Sequence, residues 1–270
     1  MGKRRLGSAG GKMMDSIRIT ELNLEEEHIC CAISDNKDPQ IVSKKAWMRE
    51  RFAEGLTFVK STQRGKCFIE YIPAEYAWVP VLAENYMFIN CFWVSGAMKG
   101  HGYSTDLLNI CIQDSRKRGK RGLCVISSKR KRAFLSDPKY LEHVGFRIAD
   151  TAAPDFVLYY LTFEPDSLDS QDSNVPRFLP HAKHPHMDTS GYVMLYTSQC
   201  PFTAKYVPLL QRVAAEQGVL CTAIHLQSRQ EARCAPVAVT TFALFYNGTY
   251  VTNEILSEKK FAAMIERNGT

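Results

Sequence analysis

The sequence lacks the segments that membrane-spanning and exported proteins carry. Within its 270 residues, no stretch approaches the ~18 consecutive apolar residues of a membrane helix. The first 14 residues are basic and rich in glycine and serine, and they contain no apolar signal-peptide core. We therefore expect no membrane association and a cytoplasmic location.

Several cofactor and metal motifs are also absent. The nine cysteines include no Cys-x-x-Cys pair, which argues against a zinc ribbon. Their odd number, together with the missing export signal, favours free thiols over disulfides. His181, His184 and His186 lie in a polar stretch and are interpreted as solvated, so we predict no metal site. A Walker loop, which needs Gly-Lys-Ser/Thr, is missing as well.

The formal charge of +6 is unevenly distributed along the chain. Residues 1–14 carry +4, residues 15–163 carry +3 and residues 164–270 carry −1. The basic runs at 116–121 and 129–132 have no interleaved aromatic residues, which single-stranded nucleic-acid sites use for stacking. Nucleic acid is therefore an unlikely partner, and a polyanionic cofactor of the 15–163 segment suits the charge better.

Composition divides the chain into two domains. Residues 164–188 are rich in Asp, Ser, Pro and His, which is typical of a linker. We predict a basic tail at 1–14 and α/β (α+β) domains at 15–163 and 189–270. In the first domain, Leu24–Ser34 and Lys44–Gly55 are interpreted as helices. In the second, Asn247-Gly248 predicts a hairpin turn.

A glycine-bearing turn is the sharpest local feature. The apolar strand Tyr86–Val94 is followed by Ser95-Gly96-Ala97-Met98-Lys99-Gly100-His101-Gly102, and a helix begins near Tyr103. Free amides at a helix N-terminus bind anions without basic side chains. The turn therefore predicts a phosphate site, the alternative being an ordinary strand-to-helix connection.

This turn resembles the pyrophosphate loop of the GNAT superfamily of N-acetyltransferases. Gly100 and Gly102 match the family's glycines, and Leu107 and Leu108 match its leucine pair. The order of strands and helices over 15–163 is similar too. Ala97 stands where the family usually has Gln or Arg. The resemblance implies a GNAT fold and acetyl-CoA as co-substrate, with an amine of unknown identity as acceptor.

The resemblance also implies cofactor and catalytic residues. Acetyl-CoA lies between the strands Tyr86–Val94 and Leu123–Ser127, and one or two residues of 129–132 meet its 3′-phosphate. The cofactor residues it implies are Phe92, Trp93, Val94, Met98, Lys99, Gly100, His101, Gly102, Tyr103 and Ser104. Leu141 occupies the usual position of the tyrosine acid, so Tyr140 is the candidate acid. Glu70 is a candidate base or substrate-binding group, or else an outward-facing strand residue.

A second candidate site is Cys200, which sits between a strand and a helix that opens with Pro201. A helix N-terminus favours the thiolate, so we predict a lowered pKa and a nucleophilic sulfur. The segment resembles the active-site loop of the thioredoxin-like fold, with Thr203 in place of the second cysteine. A GNAT domain joined to a thioredoxin-like domain resembles the YoaP-like acetyltransferases, through Cys200-Pro201-Phe202 and Phe245-Tyr246-Asn247-Gly248 among other segments.

The sequence therefore predicts an N-acetyltransferase that uses acetyl-CoA, with the C-terminal domain helping to recognise an amine. Two alternatives stay open. One is a thiol-dependent redox or conjugation protein that works through Cys200. The other is a non-catalytic acyl-CoA sensor.

Overall fold

The chain forms two α/β units, each built on its own sheet, in a computed structural model that describes residues 14–29, 35–163 and 174–268. The first unit contains β1 (Ser16–Ile19), α1 (Pro39–Phe52), β2 (Thr57–Ser61), β3 (Cys67–Pro73), β4 (Val81–Leu82), β5 (Tyr86–Val94), α2 (Tyr103–Lys117), β6 (Gly122–Ser128), α3 (Pro138–His143), β7 (Arg147–Ala152) and β8 (Phe156–Thr162). Seven of these strands form one sheet in the order β1-β2-β3-β5-β6-β8-β7.

The pairing of β5 with β6 decides the shape of this sheet. These two strands run parallel, whereas the other neighbours run antiparallel. The β5–β6 pairing ends at Phe88 and Cys124. The register between β3 and β5 shifts at the same level, which leaves Asn90 as an extra residue on β5. Such a bulge bends its strand, and β5 therefore diverges from β6 toward its C-terminal end.

The two faces of the sheet are covered by different elements. Strand side chains alternate between faces, so each strand contributes to both cores. On one face, Leu108 of α2 and Leu141 of α3 are buried. On the other face, Trp47 of α1 packs in a core that continues into the second unit through Phe245.

The second unit contains β10 (Tyr192–Tyr196), α4 (Pro201–Glu216), β11 (Cys221–His225), α5 (Arg229–Cys234), β12 (Phe242–Tyr246), β13 (Thr249–Thr252) and α6 (Glu258–Asn268). Its sheet has the order β11-β10-β12-β13, with β10 and β11 parallel and the other pairs antiparallel. Asn247 and Gly248 have φ values of 47° and 77°. Positive φ at both central residues is typical of a type I′ hairpin turn, and this confirms the predicted hairpin.

The segment before this unit is more closely packed than its composition indicates. Within the described residues 174–188, the short strand β9 (Arg177–Phe178) pairs with β4. Phe178 and Ala182 are buried, and Lys183 forms an ion pair with Asp150 at 2.7 Å. A few apolar residues in a polar stretch are thus enough to hold this part of the predicted linker against the first unit.

Direct contacts join the two units. Their shared core contains Val193 and Phe245 from the second unit. Helix α1 contacts α4. The Thr240 hydroxyl donates to the Trp78 carbonyl, and Asn253 donates to the Ala133 carbonyl at 3.0 Å. The second unit therefore covers the face of the first sheet that α2 and α3 leave open.

Three sequence expectations near the N-terminus need correction. Residues 21–27 form turns, so the described part of the predicted helix Leu24–Ser34 is not helical, and 30–34 lie outside the described residues. The next helix begins at Pro39, capped by Asp38, and not at Lys44. Met14, the last residue of the predicted tail, is buried, and its amide donates to Asp106 at 2.9 Å.

No described helix has the length and hydropathy that a bilayer crossing requires.

Candidate active site

The glycine turn lies between β5 and α2. Gly96, Gly100 and Gly102 have φ values of 61°, 82° and 80°. An added Cβ at Gly100 or Gly102 would meet nothing within 4 Å. These glycines are therefore required by the left-handed backbone conformation and not by crowding within the chain. Because the space above them is open, a ligand can approach the backbone closely.

The amides of this turn fall into two groups. Those of Met98 and Lys99 donate to the carbonyls of Ser95 and Gly96. Those from Gly100 to Ser104 donate to no other residue in the described part of the chain. They lie just before and within the first turn of a 15-residue helix, whose dipole favours an anion there.

The individual cofactor candidates differ in placement. Met98 is buried against Gly65, and with its amide engaged it has no free group for a pyrophosphate. The His101 and Tyr103 rings stack with centroids 5.5 Å apart beside the free amides. Lys99 is exposed on the same turn. The unpaired amides therefore begin at Gly100, and the amides of the candidate residues Met98 and Lys99 are engaged within the turn.

The diverging strand β5 carries Phe92, Trp93 and Val94. All three pair with β3, and their other edge faces the gap left by β6. Alternate residues of an antiparallel strand direct their N–H and C=O groups to opposite neighbours. Some backbone groups of β5 are thus available to an extended ligand lying in the gap.

Tyr140 lies on α3, beside the gap. Its ring meets that of Phe92 edge-on, with centroids 5.6 Å apart. Its hydroxyl is buried and has no hydrogen-bond partner among the described residues. Burial raises the pKa of Tyr140 to about 12, so the hydroxyl keeps its proton at neutral pH. An unpartnered buried donor next to the split strand is suited to protonate a departing group.

Glu70 lies on the opposite face of the sheet and is buried, which excludes the outward-facing interpretation. Its carboxylate pairs with Lys44 of α1 at 2.5 Å. Asn90, the bulge residue, donates to its other oxygen at 3.1 Å. Both charged side chains are at most 2% exposed. This network connects α1 to the bulge of β5. Its members Lys44 and Asn90 were not predicted from the sequence.

Cys200 directly precedes α4 as its N-cap residue and lines the same cavity as Glu70. Burial raises the pKa of its thiol to about 11, although the nearby amides of Phe202 and Thr203 act in the opposite direction. The direction contradicts our prediction of a lowered pKa, because the cost of burying a thiolate exceeds the effect of the helix N-terminus. Cys91 on β5 lines the same cavity, and burial raises the pKa of its thiol too.

A cavity of about 420 Å³ lies where these elements meet. Trp93 and Ile126 line it from one face of the sheet, and Phe92 and Val125 from the other. It therefore reaches through the gap between β5 and β6. The second unit contributes residues of the Cys200 loop and of the segment around Thr241.

The basic run and the histidines have local partners. Arg132 pairs with Asp155 at 2.7 Å, and Lys131 with Asp137 at 3.1 Å. His181 contacts the Arg233 carbonyl at 2.8 Å. Among the residues described, no group of three or more His, Cys, Asp or Glu side chains is arranged to hold a metal ion.

The split parallel pair, the bulge and the glycine turn before α2 define the class of protein: the first unit has the GNAT acyltransferase fold. The chain belongs to the YoaP-like N-acetyltransferase family. It is 41% identical over 250 residues to "Uncharacterized N-acetyltransferase YoaP" of Bacillus subtilis (strain 168), covering 92% of this chain and 97% of the relative. The family model described as YoaP-like matches residues 221–262.

Solved acetyltransferases are more distantly similar. A GNAT family acetyltransferase from Brucella melitensis in complex with acetyl-CoA is 17% identical and covers 57% of this chain and 90% of its own, with a TM-score of 0.36. The ribosomal-protein-S18-alanine N-acetyltransferase of Escherichia coli is 16% identical and covers 58% and 98%, with a TM-score of 0.38.

Proposed function

We propose that this protein transfers the acetyl group of acetyl-CoA to an amine by direct attack of the amine on the thioester. The observation that carries the proposal is the separation of β5 from β6 directly before a turn of unpaired amides. Family membership agrees with it, because the Bacillus relative is named as an N-acetyltransferase.

Different residues bind the cofactor and protonate the leaving group in this proposal. The amides from Gly100 to Ser104 hold the pyrophosphate. The pantetheine arm lies along the free edge of β5, as an added strand does. When the C–S bond of the tetrahedral intermediate breaks, Tyr140 donates its proton to the departing thiolate.

The attacking amine must be neutral. Burial in a mostly apolar cavity lowers the pKa of an amine and favours loss of its proton. Glu70 lines this cavity, and as a carboxylate it accepts a hydrogen bond from the amine. Its pairing with Lys44 makes it a positioning group in this proposal, and the proton leaves through water.

The test compares two glycines that share a backbone conformation. Gly100→Leu places a side chain among the unpaired amides, whereas Gly119→Leu places one at the end of α2, where φ is 67° and the space is also open. We expect acetyl-CoA to raise the melting temperature of the wild type and of Gly119→Leu but not of Gly100→Leu. Equal shifts in both variants would contradict the phosphate assignment.

Measuring the release of free CoA with a panel of amines distinguishes acetyl transfer from the two alternatives, the acyl-CoA sensor and the thiol-dependent protein. Binding without release from any amine favours the acyl-CoA sensor. For the thiol-dependent alternative, turnover would be lost in Cys200→Ser with acetyl-CoA binding intact. The raised pKa of Cys200 argues against that alternative.

We also propose that the second unit is thioredoxin-like and that the protein is cytoplasmic. The order β11-β10-β12-β13, with one parallel pair, supports the first proposal. The seven cysteines in the described part of the chain are free thiols, which supports the second.

A further inference from the structure

The walls of the cavity between the two units are mainly apolar. Aromatic and aliphatic side chains form most of it, including Phe68, Phe88 and Trp93 from the first domain and Phe202 and Phe242 from the second. Its volume of about 420 Å³ lies within the range of small-molecule sites. A small apolar molecule therefore fits the walls better than a polar chain does.

The charges in the cavity limit what its occupant can carry. Lys44, Lys131 and Arg132 line it, and each is already paired with a carboxylate. Glu70 is the single acidic side chain among the described residues of its lining. An acceptor with several ammonium groups would leave some of them buried without a counter-charge, which is costly.

Phe134 links the domains at the edge of this cavity. Its φ is 63°, a conformation that bulky residues rarely adopt. The residue is 48% exposed, and its ring meets that of Phe202 in α4 edge-on, with centroids 6.0 Å apart. Backbone strain at a half-exposed aromatic residue beside a cavity is typical of a ligand contact.

We propose that the amine acceptor binds in this interdomain cavity, and that it is a small primary amine with an apolar or aromatic body. The inference rests on the proposed acetyl transfer. The amino group lies at the gap between β5 and β6, near Glu70, and the apolar body lies between Trp93 and the second domain. The second domain thereby selects the acceptor, and its Phe202 and Thr241 are specificity-determining residues.

The first experiment measures CoA release by the full chain with three probes: 2-phenylethylamine, spermidine and a Gly-Lys-Gly peptide. We expect kcat/KM for 2-phenylethylamine to exceed that for either other probe by about 100-fold, because neither presents an apolar body to the cavity. Higher turnover of spermidine or of the peptide overturns the acceptor class, and so does turnover of none of the three when another amine of the panel releases CoA. Failure to bind acetyl-CoA, or binding without CoA release from any amine, overturns the proposed function instead.

The second experiment tests the place of binding. Thr241→Trp fills the cavity from the second domain, and Thr222→Trp is its control on the exposed side of β11. We expect Thr241→Trp to raise KM for 2-phenylethylamine by about tenfold, with the acetyl-CoA melting shift unchanged, and Thr222→Trp to alter neither. An unchanged KM in Thr241→Trp overturns the location.

A third variant covers the case in which Thr241→Trp does not fold. Phe134→Gly relieves the left-handed backbone and removes the aromatic contact. A ligand-contact role predicts a KM for 2-phenylethylamine raised by about tenfold at an unchanged melting temperature. A lowered melting temperature with an unchanged KM identifies Phe134 as a purely structural residue and overturns its place in the acceptor site.

Discussion

Among single residues, Tyr140 is our proposed acid for protonation of the departing thiolate. Its hydroxyl is buried without a partner and its pKa is raised to about 12. We expect Tyr140→Phe to lower kcat by about 100-fold or more, the usual contribution of general acid–base catalysis. The acetyl-CoA melting shift should be retained, because the ring contact with Phe92 remains. An unchanged kcat would assign Tyr140 to packing alone.

Cys200 shows how burial overrides a local motif. With its pKa raised to about 11, the thiolate is scarce at neutral pH and becomes more abundant as pH rises toward that value. We expect iodoacetamide to modify the exposed Cys234 before Cys200 at pH 7, and the rate at Cys200 to rise about tenfold per pH unit between pH 7 and 10. Mass spectrometry of alkylated peptides measures both rates. Faster labelling of Cys200 at pH 7 would restore the activated-thiolate prediction.

At the scale of elements, the Lys44–Glu70 pair holds α1 against β3. Replacing one partner of a buried pair leaves the other charge uncompensated. We expect Glu70→Gln to lower the free energy of unfolding by about 3 kcal/mol, and Lys44→Met with Glu70→Leu to recover most of that loss.

Urea unfolding checks this prediction against a surface pair. Lys260 and Glu254 are 62% and 34% exposed, so Glu254→Gln should change the free energy of unfolding by no more than about 0.5 kcal/mol. Equal effects of Glu70→Gln and Glu254→Gln would show that the buried network contributes no more than a surface one.

For the whole molecule, the shared core predicts cooperative unfolding. Hydrophobic side chains of both units pack in one cluster, so neither unit keeps its buried surface without the other. We expect one thermal transition, at which far-UV circular dichroism and tryptophan fluorescence coincide. All three tryptophans, Trp47, Trp78 and Trp93, lie in the first domain, so fluorescence reports on that domain alone.

Separate transitions from the two signals would contradict this prediction. A fragment of residues 14–163 tests the same prediction, because it exposes the sheet face that the second unit covers. We expect it to melt below the full chain, and an equal melting temperature would argue against a shared core.

Much of the first domain could be predicted from the sequence, because its signals are local. Glycine at positive φ, an apolar strand before it and a helix start after it depend on neighbouring residues. The hairpin at Asn247-Gly248 in the second unit was also predictable, because its turn signal is local. Over its described residues, the helix predicted at Leu24–Ser34 was wrong, because Leu24 and Ile29 are buried by tertiary packing in a segment of turns and irregular backbone.

By itself, the amino-acid sequence determined the glycine turn, the helix that follows it and the hairpin at Asn247-Gly248, and it suggested Tyr140 as a candidate acid. Only the tertiary structure decided that Glu70 is paired with Lys44, that burial raises the pKa of the Cys200 thiol, and that both units line one cavity. Each of these depends on residues distant in the chain, and the free energy of burying a charge depends on what surrounds it in space.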